Sequence, residues 1–245
     1  MTKILNLFTQ LMFKQMYICG INMKKIVLYT GILAAAVAMA SCGGGATEAG
    51  AADSAAKAGE GAVNYKVDAA KSTLTWFGSK AVGAGQHSGT VALTEGTLHV
   101  EGGNLTAGSF VIDMKSLATT DQLDAESKGM LEGHLKADDF FNVEKFPTAK
   151  FEISKVEAKA SGEFSHEITG NLTIRDSVRS VTFPAKVDIN EAGLVAKGSV
   201  IINRLDWGIN YDKEKMSLSE AAQQTAKNGI VSKEIKLEMN IVAVQ

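Results

Sequence analysis

Cysteine is nearly absent from this chain. The two present, Cys19 and Cys42, both lie in the N-terminal region, so no disulfide framework holds the remainder and its core rests on burial alone. A membrane-length apolar run is missing too: Ile26–Ala40 stops at 15 residues, short of the roughly 20 that a helical span needs. Nor is there an excess of positive charge. The formal net charge is −2, but residues 1–42 hold Lys3, Lys14, Lys24 and Lys25 without one acid, which leaves 21 Lys and Arg against 27 Asp and Glu beyond them, a net −6. No basic run follows, so the phosphate backbone of a nucleic acid finds no general attraction here.

Catalytic patterns are also lacking. His87, His99, His134 and His166 stand in no H-x-x-x-H or H-E-x-x-H spacing and have no cysteine beside them, and G-x-S-x-G does not occur. The histidines are read as surface or turn residues. Asp138 and Asp139, adjacent to Leu135 and Phe140, are read as a helix-end feature rather than paired acids. No enzyme, metal or cofactor is expected, because no nucleophile, base and orienting group come together.

What is present begins with an address. From Met23 the chain reads MKKIVLYTGILAAAVAMASC, with Lys24 and Lys25 before the apolar run and small residues before Cys42. That is the layout of a secretory signal, and Met39-Ala40-Ser41-Cys42 resembles the bacterial lipobox, with Met39 where leucine is usual. The resemblance implies lipidation at Cys42, a membrane anchor and a place in the periplasm or cell envelope. An uncleaved anchor helix is the alternative. Residues 1–22 are read as an extension ahead of the true start at Met23, and residues 23–42 as the signal. Residues 43–62, rich in Gly and Ala and without aromatic or β-branched aliphatic side chains, predict a flexible tether.

From Tyr65 onward the period is two. Ile168, Gly170, Leu172 and Ile174 oppose Thr169, Asn171, Thr173 and Arg175, and Val181, Phe183, Ala185, Val187 and Ile189 repeat the pattern, with a short link from Asp176 to Ser180 predicting a hairpin. Further strands are predicted at Leu74–Phe77, Gly89–Thr94, Thr97–Glu101, Phe110–Met114, Phe151–Ile153, Leu194–Ile202 and Ile235–Ile241. Pro184, inside a strand pattern, predicts an edge-like position or a bulge. Two stretches break the alternation: Asp121–Lys136 suits a short helix after Ser127, and Ser217-Leu218-Ser219-Glu220 opens as a capping box toward Lys227. With so few helices to cover the apolar faces, the sheet must cover itself. The expected fold is all-β: a single eight-stranded, mostly antiparallel, lipocalin-like barrel over residues 63–245 with one or two short helices at its ends, a two-sheet sandwich being the runner-up.

Three stretches carry a family resemblance: His134-Leu135-Lys136-Ala137-Asp138-Asp139-Phe140-Phe141-Asn142-Val143-Glu144-Lys145-Phe146-Pro147, Gly170-Asn171-Leu172-Thr173-Ile174-Arg175, and Asn203-Arg204-Leu205-Asp206-Trp207-Gly208-Ile209. His87-Ser88-Gly89 fits more loosely. In this order over residues 65–243 they resemble the YceI-like family of exported proteins, which implies an elongated barrel with an isoprenoid-type lipid in its lumen. Asp176 departs from the family's usual glycine, and Lys213–Gly229 looks inserted.

The residues alone make each aromatic a core filler first. The resemblance implies a lumen lined by Trp76, Phe110, Ile112, Phe140, Phe141, Phe146, Phe151, Ile153, Leu172, Ile174, Phe183, Val200, Ile202 and Trp207. Small inward residues, Gly170, Ala185, Ala196 and Gly198, are expected to leave room. Arg204, Asp206, Asn210 and Tyr211 are candidates for a lipid head group, or alternatively for closing the barrel end. The expected function is binding, storage or carriage of a polyprenol or isoprenoid quinone; the alternative is a structural or stress-response envelope lipoprotein without a lipid ligand. The oligomeric state is open, a dimer among the options.

Overall fold

A computed structural model describes residues 46–81, 84–209 and 231–245. The expectations for the signal, Cys42, Asn210, Tyr211 and the helix at Ser217–Lys227 lie outside the described residues. Within them run β1 (Val63–Val67), β2 (Thr73–Lys80), β3 (Gln86–Glu101), β4 (Asn104–Thr119), helix α1 (Ala125–Lys136), β5 (Thr148–Ser161), β6 (Phe164–Ile174), β7 (Ser177–Asn190), β8 (Gly193–Asn203), a 3-10 turn (Arg204–Trp207) and β9 (Val231–Val244).

The sheet closes. Its order is β3-β2-β9-β8-β7-β6-β5-β4, and β4 pairs back onto β3. Short β1 does not widen the ring: it pairs with β3 at Thr97–Val100 and with β9 at Ala243 and Val244, while β2 occupies the same place farther along, from Val91 and Asn240 onward. β1 and β2 are thus one stave interrupted by the turn at Asp68, whose carboxylate accepts from the Ala70 and Lys71 amides. The result is an eight-stave barrel, antiparallel at every described pairing, and the sandwich is overturned by the β3–β4 closure.

The alternation on β6 and β7 places Ile168, Gly170, Leu172, Ile174, Val181, Phe183, Ala185 and Val187 inside. Their hairpin is tighter than expected, with only Arg175 and Asp176 between the strands and Arg175 at φ 56°. β3 corrects the sequence reading, which divides it at Glu95 and Gly96. Register shifts at Thr90/Ala92 and Leu93/Glu95 bend one long strand, and the second swaps its faces, with Val91 and Leu93 buried before it and Leu98 and Val100 after it, so the alternation fails without the strand ending. Gly96 sits at the bend because a Cβ there would meet the Phe110 Cβ at 2.7 Å and the Ser109 carbonyl at 2.8 Å.

Pro184 pairs in register with Glu167, so it forms no bulge on the β6 side. Its carbonyl is turned toward Gly198 on β8, just past the last β7–β8 pair, Ala185↔Gly198. The missing N–H therefore falls where no ladder bond is made. Helix α1 begins at Ala125, two residues ahead of Ser127, because Asp124 is the cap: its carboxylate accepts from the Ser127 amide at 2.9 Å. The segment composed like a tether is laid against the barrel from Thr47 onward, through backbone hydrogen bonds that composition does not reveal.

Candidate functional site

The three family-like stretches, far apart in sequence, meet at one barrel end. Trp207 is buried in the 3-10 turn and its indole N–H donates to the Leu172 carbonyl at 2.9 Å. Arg175 reaches the carbonyls of Phe140 and Gly208, each at 3.4 Å. Phe140 packs edge-on against Phe141 at 4.8 Å, with the Arg204 guanidinium carbon 5.9 Å from its ring centroid. Together with Val143 and Ile209, both buried, these groups plug the end.

Arg204 turns donors toward the protein's own backbone. The side chain is 3% exposed, and it donates to the carbonyls of Ser232 (3.1 Å), Val231 (3.3 Å) and Ile209. Those carbonyls lie just past the 3-10 turn and at the start of β9, so the guanidinium ties the turn to β9 at the plugged end. Asp206 is half-buried on the same turn.

Above the plug the interior is apolar and tightly filled. A void of about 30 Å³ is bounded by Phe110, Phe151, Ile153 and Phe183, all expected there, and by Leu98, Leu105, Ile168, Ala185, Ala196, Gly198, Met239, Ile241 and the Lys197 segment. Trp76, Ile112, Leu172, Ile174, Val200 and Ile202 are buried core residues away from the void, while Phe140 and Trp207 belong to the plug. The Trp76 indole N–H is buried without a hydrogen-bond partner among the described residues. Phe141 and Phe146 are half-buried, Phe146 lying under Lys145 (4.9 Å) and Arg175 (5.6 Å).

Of the small residues expected to leave room, Ala185, Ala196 and Gly198 border the void, but Gly170 does not: the Phe151 ring occupies the place of its missing Cβ. Met239 and Ile241 are missed by the sequence reading because only cross-strand pairing sets them opposite Gly198 and Ala196.

Beside the plugged end, Asp121 ties the start of β3 to the chain leading into α1. Its carboxylate accepts from His87 Nδ1 at 2.6 Å, from the Ser88 amide at 3.0 Å and from the Ser88 hydroxyl at 3.2 Å. Burial works against the charged form, but the hydrogen bonds from His87 and Ser88 outweigh it and hold this carboxyl below the usual carboxylate range. A depressed pKa stabilises the fold above the unfolded value and loses that contribution as pH falls through the folded one. Asp121→Asn is therefore expected to cost about 1 kcal/mol near neutrality. The difference from the unmodified protein should vanish in urea melts taken toward about pH 2; a gap that persists undiminished there would contradict this account.

A closed antiparallel barrel with one plugged end and an apolar interior defines a lipocalin-like barrel. Residues 65–243 match the YceI-like domain, and the chain belongs to that family. It is 41% identical over 97 residues to a UPF0312 protein of Pseudomonas aeruginosa, covering 37% of this chain and 47% of the relative. The chain thus spans about half the length of the curated relatives it matches. Among solved structures it is similar to Burkholderia cenocepacia BcnA, at 22% identity and TM-score 0.55, covering 73% of this chain and 99% of that one. It also matches a polyisoprenoid binding domain from Saccharophagus degradans implicated in plant cell wall breakdown, at 13% identity and TM-score 0.47, over 74% and 97%.

Proposed function

We propose that this chain binds a long apolar isoprenoid-type lipid, a polyprenol or isoprenoid quinone, inside the barrel, and carries or stores it at the cell envelope from a lipid anchor at Cys42. The observation that carries the reading is the lining of the void: aromatic and aliphatic side chains on every stave that borders it, with Ala185, Ala196 and Gly198 keeping one wall thin. Family membership adds to it, since the resemblance of the motifs implies such a ligand.

Energetics explains why a membrane-side carrier is reasonable. Burying about 40 carbons at roughly 0.8 kcal/mol per CH₂ amounts to some 30 kcal/mol against water, above the practical ceiling of about 18–21 kcal/mol. Water is not the competitor at a membrane. In the bilayer the chain already lies in hydrocarbon, so net transfer is small, and lumen shape decides which lipid is accepted.

The size of the void favours a second reading. About 30 Å³ holds one or two waters, far less than a chain of about 40 carbons needs, so loading requires the walls to part. A structural envelope lipoprotein with a packed lumen needs no such step. Organic extraction of the purified protein followed by mass spectrometry separates the two. The lipid reading expects a stoichiometric isoprenoid in the extract and its loss in Ala196→Phe, which fills the void. An extract free of lipid, from protein that also takes up none on mixing with lipid vesicles, selects the packed barrel.

A further inference from the structure

Two seams of the barrel are incomplete. The β7–β8 ladder runs only from Asn190↔Gly193 to Ala185↔Gly198, so β7 from Ser177 to Pro184 and β8 from Ser199 to Asn203 do not pair with each other. The β4–β5 ladder likewise ends at Ser109↔Glu152, leaving β5 beyond it unpaired on that side. The void touches both forks: Phe183, Ala185 and Gly198 border it where β7 and β8 diverge, and Leu105 and Ile153 border it beside the other.

The chain's own segment 47–56 covers these forks. The Thr47 amide donates to the Ile201 carbonyl at 2.7 Å, and Gly50 forms an antiparallel bridge with Ser180, its bonds 2.9 and 3.1 Å, so the strap stitches β8 to β7 where the strands do not meet. Between those stitches Ala49 packs onto the core. Next, the Asn171 side chain clamps Asp53 by accepting from its amide (2.9 Å) and donating to its carbonyl (2.6 Å), and the Ala56 amide donates to Ile153 at 2.9 Å. Asn171 sits on the polar face of β6, and the strap above it explains why it is buried. Most side chains of the strap are exposed. A segment burying so little surface opens far more readily than the ladders around it.

We infer that the strap 47–56 is a gate over the β7–β8 fork, and that an apolar lipid chain passes sideways into the lumen when it lifts. The inference rests on the lipid-binding reading. One end of the barrel is plugged by Trp207 and Phe140, whereas between the plug and the last β7–β8 pair lifting the strap breaks its own hydrogen bonds and none of the ladder. With a lipid on Cys42, the five residues to Thr47 extend at most about 18 Å. The fork then opens within that reach of the bilayer that supplies the lipid.

The geometry supplies a lock. A Cβ added at Gly50 would lie 3.6 Å from the Ser180 Cβ, inside the range of about 3.5–4.5 Å that a disulfide spans. The full chain carrying Gly50→Cys with Ser180→Cys is placed in phosphatidylcholine vesicles and mixed with vesicles that contain a polyprenyl quinone. Quenching of Trp76 and Trp207, the chain's two tryptophans, reports arrival in the lumen. Loading of the oxidised double variant is expected to slow by about tenfold or more and to recover on reduction, with Ser180→Cys alone behaving as the unmodified chain. Asn171→Ala, which frees Asp53, should load roughly three- to tenfold faster. Loading of the oxidised variant at the unmodified rate, with the disulfide verified by mass, overturns the gate and leaves lipid binding standing. Failure of the unmodified chain to load at all overturns both.

Discussion

Trp207→Ala is expected to lower the stability of the barrel by about 3–5 kcal/mol, the range for deleting a large buried aromatic side chain. The indole is 1% exposed, so its removal leaves a buried cavity at the plugged end. It also leaves the Leu172 carbonyl without its 2.9 Å donor. Trp207→Phe separates the two contributions, because most of the volume is retained and only the hydrogen bond is lost. That variant should recover more than half of the deficit. Urea denaturation followed by far-UV circular dichroism measures both; a Trp207→Ala midpoint within error of the unmodified protein would mean that the plug does not hold the barrel end.

Arg204→Ala should cost a similar amount, about 3–5 kcal/mol, for a different reason. Here the loss is polar: the buried Ile209 carbonyl is left short of a donor at roughly 1–3 kcal/mol before relaxation, and the part-buried carbonyls of Ser232 and Val231 add less. Arg204→Lys is expected to rescue little, since one ammonium on a flexible stem cannot reproduce the planar fork that meets several carbonyls at once. Lipid uptake by the folded fraction should be unchanged. If Arg204→Ala instead kept its stability and lost uptake, the head-group role would hold.

Both residues show how far the sequence reading carries. Arg204 and Trp207 stand out in sequence because they lie together in a polar and aromatic cluster after a long inward strand, but nothing in that spacing says whether the guanidinium points at a guest or at the protein's own backbone. The partners that the structure shows come from Ile209 close by and from β6 and the start of β9, some 30 positions away. Gly170 and Gly198 read identically as small inward residues, yet one is filled by the Phe151 ring and the other borders the void. Alternation tells which side of a strand a residue faces; what stands across from it depends on register and on the size of a side chain from another strand.

The strands of β6 and β7, their hairpin and the closed all-β architecture follow from the sequence by itself, because period-two patterning is a local property and a one-faced sheet without helices has few ways to hide its apolar side. The tertiary structure decided the rest. It merged the two expected strands into β3, split one stave into β1 and β2, gathered three distant stretches into a plug, and laid a segment of alanine and glycine across two unpaired seams. Each of these turns on backbone groups, whose hydrogen-bonding capacity is the same at nearly every residue, so which ones remain free to bind a strap or an arginine is known only once the strands have found their partners.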